Sequence, residues 1–193
     1  LRGTVTSLIK ASIDTRQRNL RQMPSRPLSR LTFVLGGARS GKSRFAEDLL
    51  QRAARPWLYL ATAEAGDEEM RQRIAHHRAR RGEKWQTLEV PLDLAEAVGM
   101  RTGALMIDCL TLWLSNMMLA QRDIDAECDR LIAALKTAPG PIIAVSNEVG
   151  LGIVPDTPLG RQFRDAQGRL NQRVAAIADH VVLMAAGLPL SLK

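Results

Sequence analysis

Eight consecutive residues, Gly36-Gly37-Ala38-Arg39-Ser40-Gly41-Lys42-Ser43, follow the pattern G-x-x-x-x-G-K-[ST]. Glycines in such a loop let successive backbone N–H groups turn inward toward phosphate oxygens. A lysine at this position reaches the β- and γ-phosphates, and the following hydroxyl ligates Mg²⁺. The reading needs a strand before the loop and a helix after it. Both are expected. Leu31–Leu35 is a short apolar run ending in glycines, and Lys42–Ala54 carries Phe45, Ala46, Leu49, Leu50 and Ala53 at helical spacing. The helix would add the positive end of its dipole to the cradle.

A phosphate cradle also needs an acid near the metal. The apolar run Ala104-Leu105-Met106-Ile107 ends in Asp108, a strand-end carboxylate of Walker-B type suited to Mg²⁺ together with Ser43. Two of the three histidines are adjacent, His76 and His77, within Arg73–Arg81. Neighbours on a helix point roughly 100° apart, so the pair is poorly placed to chelate one metal. Residue types leave two readings open: a solvated basic helix, or an imidazole that attacks phosphorus while nearby arginines stabilise the developing charge.

The elements that must carry these residues alternate. Trp57–Ala61, Trp85–Val90, Ala104–Ile107, Pro141–Val145 and Val181–Ala185 read as strands, with a short final strand near Leu188–Leu192. Asp67–Arg81 reads as a polar helix, and Leu112–Leu119, Ala126–Leu135 and Leu159–Ala178 as further helices. Short apolar runs between amphipathic helices imply crossover connections, hence an α/β fold with a mainly parallel sheet and helices on both faces. In such sheets the reactive groups collect beyond the carboxyl ends of the strands. Asn147 and Glu148 follow one such end; they could orient a substrate hydroxyl or a metal-bound water, or simply form a tight turn. Asp165, Arg169, Asn171 and Arg173 on the long helix could pair within it or across a subunit interface.

The chain has 193 residues and a net charge of +7. Residues 1–30 hold seven of the 27 basic groups and one of the 20 acids, so residues 31–193 are nearly neutral at +1. High basicity belongs to the N-terminal extension, and the body offers no general electrostatic case for nucleic acid. Residues 1–30 are expected to be a disordered basic extension or upstream sequence, with Met23 as an alternative start. A mitochondrial-type targeting peptide is a further reading, while a secretory signal is not supported. Residues 31–193 are read as a single domain. Cys109 and Cys128 fit reduced structural thiols in a cytoplasmic protein. No apolar run approaches the ~18 residues of a membrane span.

Five segments carry a more specific resemblance: GGARSGKSRFAE, YLATAEAGDEEMRQRIAHHRARR, DCLTLWLSN, VSNEVGLGIVPDTPLGRQFRDAQGRLNQRVA and VVLMAAGLPLSLK, in that order. Over residues 31–193 the chain resembles the bifunctional adenosylcobinamide kinase/adenosylcobinamide-phosphate guanylyltransferases of cobalamin biosynthesis. The resemblance implies a RecA-like P-loop fold, a homotrimer, and two reactions. The first phosphorylates the aminopropanol hydroxyl of adenosylcobinamide with ATP or GTP. The second moves GMP from GTP onto that phosphate, through a GMP–histidine intermediate that maps to His76.

By matched position it also implies nucleotide binding by Gly36–Ser43, by Ala61, Thr62 and Ala63, by His77, Arg78, Ala79 and Arg80, and by Glu89 and Asp108. Glu89 is the candidate for reading guanine N1–H and N2–H₂. No NKxD-type guanine motif is present, so a GTP preference rests on the resemblance, and Phe45 stands where some members carry histidine. Two other readings share parts of this pattern. A P-loop small-molecule kinase needs no histidine pair, and a nucleotide-switched nucleic-acid binder would need more than three Phe, three Trp and one Tyr as stacking platforms.

Overall fold

A computed structural model of the chain describes residues 28–64, 66, 68, 71, 72, 75, 84–100 and 103–193. The basic extension up to residue 27 and most of the expected 67–81 helix lie outside the described residues, among them His76, His77, Arg78, Ala79 and Arg80. Glu68, Arg71, Gln72 and Ala75 are described and helical. Glu68 takes hydrogen bonds from Arg71 Nε (2.9 Å) and Gln72 Nε2 (3.2 Å), the i,i+3 and i,i+4 neighbours of a helix.

Seven strands are described: β1 (Leu31–Gly36), β2 (Trp57–Ala61), β3 (Trp85–Glu89), β4 (Ala104–Asp108), β5 (Ile142–Asn147), β6 (His180–Ala185) and β7 (Leu188–Ser191). They form one sheet in the order β3-β2-β4-β5-β1-β6-β7. Every pair is parallel except β6–β7. The described helices are α1 (Lys42–Leu50), α2 (Leu94–Gly99), α3 (Leu110–Leu119), α4 (Ile124–Thr137) and α5 (Pro158–Ile177).

The strands alternate between two cores, as a sheet covered on both faces must. Val34, Trp57, Tyr59, Met106, Ile143 and Val182 pack with Phe45, Ala46, Leu49 and Leu50 of α1. Phe33, Leu60, Leu105, Ile107, Ile142 and Val181 pack instead with Leu94 of α2, Trp113 of α3, Leu131 of α4 and Leu170 of α5. Each such buried Leu or Phe stabilises the fold by roughly 1.5–3 kcal/mol. The same alternation sends Asp108, two residues beyond Met106, toward the α1 face, and Ser146, two beyond Ala144, toward the α3–α5 face.

Two local outcomes differ from the sequence pattern, and the expected final strand gains its direction. The helix after the glycine loop ends at Leu50, not Ala54, because the chain turns back into β2 and the Ala53 carbonyl accepts from the Trp57 indole (3.0 Å). The six-residue α2 lacks a long amphipathic window, yet it buries Leu94 and Val98 and packs on α4. Finally, β7 runs antiparallel to β6 through a two-residue turn. Both turn residues, Ala186 (φ 51) and Gly187 (φ 81), take the positive φ that a type I′ hairpin requires.

Candidate functional site

The carboxyl ends of the parallel strands present, in spatial order, Glu89 (β3), Ala61 (β2), Asp108 (β4), Asn147 (β5) and Gly36 (β1). The sheet therefore brings the cradle, the Walker-type acid, the Ala61–Ala63 segment and Glu89 to one edge. From β1 to β3 that edge spans four inter-strand steps, roughly 19 Å at ~4.8 Å each.

At the cradle, Gly36 has no room for a side chain: a Cβ there would lie 2.4 Å from Ser40 Oγ and 2.7 Å from the Met184 carbonyl oxygen. Left-handed backbone at Arg39 (φ 58) and Gly41 (φ 93) curls the loop into α1, whose first turn begins at Lys42. The Lys42 Nζ donates to the Gly37 carbonyl (3.0 Å), folding the ammonium back over the loop. Ser43 sits half-buried in the first turn of α1, while Ala38 and Arg39 are exposed. The Ser40 hydroxyl is buried yet has no hydrogen-bond partner among the described residues. A buried unmatched hydroxyl in a loop of this shape is what a cradle for an anionic, oxygen-rich ligand would leave. The β6–β7 turn braces the loop from the side, with the Gly187 N–H donating to the Ser40 carbonyl (3.0 Å).

Two strands away, Asp108 is half-buried and its Oδ2 accepts a hydrogen bond from the Tyr59 hydroxyl (2.8 Å). Tyr59 is itself fixed edge-on against Trp85 at 6.2 Å between ring centres. Sequence reasoning missed Tyr59. Its signal was the alternation Trp57, Tyr59, Ala61, which puts it on one face of β2, but the register that sets it beside Asp108 is non-local.

Thr62 proves to be a latch. Its hydroxyl donates to the Cys109 carbonyl (2.7 Å) and accepts from the Cys109 N–H (2.8 Å), while Asn116 Nδ2 donates to its carbonyl (2.8 Å). The Thr62 side chain is fully buried and its hydroxyl is occupied by backbone, whereas Ala61 and Ala63 are half-buried. Cys109 follows Asp108 directly. Burial first, then the Asp108 charge, push its thiol up to about 11, partly offset by backbone N–H groups of Leu112 and Thr111 and by Lys42. Lys42, Asp108 and Cys109 thus share one neighbourhood.

A second group, of which the sequence singled out only Asn171, lies behind Asn147. Thr111 Oγ1 accepts from the Asn147 N–H (2.7 Å), and Asn171 Nδ2 donates to the Asn147 carbonyl (3.0 Å). Ser146 Oγ donates to Asn171 Oδ1 (2.8 Å), and Gln167 Nε2 donates to both (3.0 and 2.9 Å). Asn171 is therefore an internal brace for the end of β5. Asp165 accepts from its neighbour Arg164 (3.1 Å), and Arg173 pairs with Asp129 of α4. Asp165 thus pairs within its own helix, whereas Arg173 reaches across to α4. Glu148 turns its carboxylate onto its own loop, accepting from the Gly150 N–H (2.6 Å), and its backbone N–H donates to the Gly36 carbonyl (3.1 Å).

Glu89 is exposed at the other end of the edge. It rims a cavity of about 330 Å³ lined by Val90, Leu92, Ala97 and Met100, with Asp93 and Glu96 nearby. Among the described residues no group of three or more His, Cys, Asp or Glu could hold a metal ion by itself. No described helix is long and apolar enough to cross a membrane.

Among solved structures, the fold is similar to the RadB recombinase (TM-score 0.51, 14% identity, covering 86% of this chain and 79% of that one). It is also similar to the flagellar accessory protein FlaH from Methanocaldococcus jannaschii (TM-score 0.50, 15% identity, 92% and 84%). These likenesses place the sheet among RecA-like P-loop folds. Closer relatives are seen in sequence. The bifunctional adenosylcobalamin biosynthesis protein CobP of Pseudomonas aeruginosa is 48% identical over 166 residues, covering 83% of this chain and 96% of that protein. Its counterpart CobU of Salmonella typhimurium is 39% identical over 186 residues, covering 84% and 99%. The model of the family described as cobinamide kinase / cobinamide phosphate guanyltransferase matches residues 32–192, the span that holds the cradle, Asp108 and the braced β5 edge. With a P-loop on a RecA-like sheet and a family match over residues 32–192, the chain belongs to the cobinamide kinase / cobinamide phosphate guanyltransferase family.

Proposed function

We propose that this chain phosphorylates adenosylcobinamide with ATP or GTP and then transfers GMP from GTP to the product, giving adenosylcobinamide-GDP and pyrophosphate. The observation that carries the reading is the phosphate cradle Gly36–Ser43 aligned on one sheet edge with Asp108, within a chain matched to this family along residues 32–192.

In the kinase step the cradle and Lys42 hold the β- and γ-phosphates while the acceptor hydroxyl attacks the γ-phosphorus and the nucleoside diphosphate leaves. In the second step a neutral ring nitrogen of His76 attacks the α-phosphorus of GTP and pyrophosphate leaves, giving a phosphoramidate. A phosphate oxygen of the acceptor then attacks the same phosphorus and the imidazole is released. Splitting the displacement in this way keeps two bulky anions from having to react directly. Arg78 and Arg80 screen the charge, and His77 and Ala79 complete that nucleotide-binding segment.

Ser43 and Asp108 supply a hydroxyl and a carboxylate, the hard oxygen donors that suit Mg²⁺. Two protein donors are also what is expected of an ion that keeps waters and takes substrate phosphates as its other ligands. When bound, Mg²⁺ would neutralise charge developing on the phosphates. The base end of the nucleotide lies toward Glu89, whose carboxylate accepts from guanine N1–H and N2–H₂, so the nucleotide is draped along the edge from β1 toward β3. Thr62 supports this segment as a backbone latch, leaving Ala61 and Ala63 as its contact residues. A homotrimer in the cytoplasm, acting on small molecules and not nucleic acid, is the setting the family resemblance supports.

The test is exposure of the protein to GTP labelled in the α-phosphate, with Mg²⁺, followed by mass spectrometry. One added GMP on His76, acid-labile and lost in His76→Ala with kinase activity largely retained, is the expected result. A label that survives in His76→Ala would refute the role of that histidine. A product that stops at adenosylcobinamide phosphate would favour the kinase-only reading.

A further inference from the structure

We propose that the loop between β5 and α5, through Leu151, Ile153 and Val154, is the apolar seat for the corrin ring of the acceptor; this rests on the functional reading above and extends it to a site for the second substrate. Three large aliphatic side chains within four positions of a loop stand 88%, 97% and 59% exposed. Single exposed aliphatics are ordinary on a protein surface, whereas a cluster beside a reactive edge marks a contact surface.

The loop is held at both ends. The Glu148 N–H is bonded to the Gly36 carbonyl of the cradle (3.1 Å), and the Glu148 carboxylate accepts from the Gly150 N–H (2.6 Å). At the far end Arg161 Nη1 donates to the Pro155 and Asp156 carbonyls (2.9 and 2.8 Å), and the Thr157 hydroxyl accepts from the Gly160 N–H (3.2 Å). Its apolar tip is thus presented from fixed anchors, one of which is the phosphate loop itself. On the other flank of the cradle, the turn whose Gly187 N–H bonds the Ser40 carbonyl leads straight into Leu188, also exposed. The phosphate end of the edge is bordered by exposed aliphatic surface tied to the cradle, while the cavity at the opposite end mixes Val90, Leu92, Ala97 and Met100 with Glu89, Asp93 and Glu96.

Placement beside the cradle selects the ligand. A small polar phosphoryl acceptor gains nothing from Leu, Ile and Val, and a nucleotide base is already provided for at the Glu89 end. A corrin macrocycle offers a broad, methyl-bearing face and an amide rim. Seated on the loop, it leaves its hydroxyl-bearing side arm free to reach the γ-phosphorus held by the cradle a few residues away.

The experiment uses the full chain with Leu151→Ser, Ile153→Ser and the double variant, and Leu119→Ser as an exposed control at the far end of α3. The KM for adenosylcobinamide is expected to rise roughly tenfold for each aliphatic side chain removed from an apolar contact. The KM for GTP and the α-phosphate label on the protein stay at wild-type values, and the Leu119 variant matches wild type throughout. Unchanged KM for adenosylcobinamide overturns the assignment. So does loss of the wild-type oligomer by light scattering in the loop variants, since the loop would then be a subunit contact. A wild-type chain that never turns over adenosylcobinamide overturns the functional reading itself, an outcome distinct from active variants with unaltered KM.

Discussion

The Tyr59 hydroxyl donates a 2.8 Å hydrogen bond to Asp108 Oδ2 from the neighbouring parallel strand. The bond occupies one of the two carboxylate oxygens. Tyr59→Phe removes only the hydroxyl and keeps the edge-on contact with Trp85. A hydrogen bond to a charged group is worth about 1.5–3 kcal/mol, so the Mg²⁺ concentration for half-maximal kinase activity should rise roughly ten- to a hundredfold. A Mg²⁺ titration checks this. An unshifted midpoint with lowered stability would mean that Tyr59 only packs.

Gly36 is a steric requirement of the cradle. Alanine there must displace the Ser40 hydroxyl and, more seriously, the Met184 carbonyl of β6, which is backbone paired into the sheet. Overpacking of this kind costs typically 1–3 kcal/mol. Gly36→Ala should lower the denaturant midpoint and abolish GTP binding in equilibrium dialysis, while Gly37→Ala, whose Cβ would meet nothing within 4 Å, should be far milder. Equal losses in the two variants would sink the steric account.

Much of this edge can be read from the chain alone because its signals are local. The glycine loop, the apolar run into Asp108 and the long amphipathic α5 each declare themselves within a few turns. The partners of those residues do not. Tyr59 meets Asp108, and Gln167 and Asn171 brace Asn147, only through strand order and register, which depend on pairing across the whole sheet. The short α2 left a faint local signal, Asp93 three residues before Glu96 with Leu94 and Val98 on one face. For Thr62 the family resemblance implies a place in a nucleotide-binding segment, while the occupation of its hydroxyl by the Cys109 backbone has no local signal in the chain.

That latch makes Thr62 a stability residue, whatever its proposed place in the nucleotide site. Thr62→Val keeps shape but strands the Cys109 N–H, while the Cys109 carbonyl retains the Trp113 N–H (3.2 Å). Leaving that group unsatisfied costs about 1–3 kcal/mol. The variant should lose stability by at least that amount in urea unfolding, with Thr62→Ser close to wild type. Full stability in Thr62→Val would show that the Cys109 backbone finds other partners.

The two cysteines bear on alkaline stability. Burial pushes both thiols up, Cys109 and Cys128 each to about 11 from an ordinary 9.0. For Cys109 the neighbouring Asp108 charge adds to the effect. A thiol whose pKa is higher in the folded state holds its proton more tightly there. Its contribution is therefore fully present below about pH 9 and is lost as pH rises from about 9 toward 11. Two results are expected. At pH 8 neither cysteine should react appreciably with a thiol reagent until denaturant is added, when both should react. In a pH series, unfolding free energy should fall between pH 9 and 11 more steeply for wild type than for Cys109→Ala. Rapid native-state labelling of Cys109 would contradict its burial beneath the start of α3, and parallel alkaline slopes would remove its thiol as the cause.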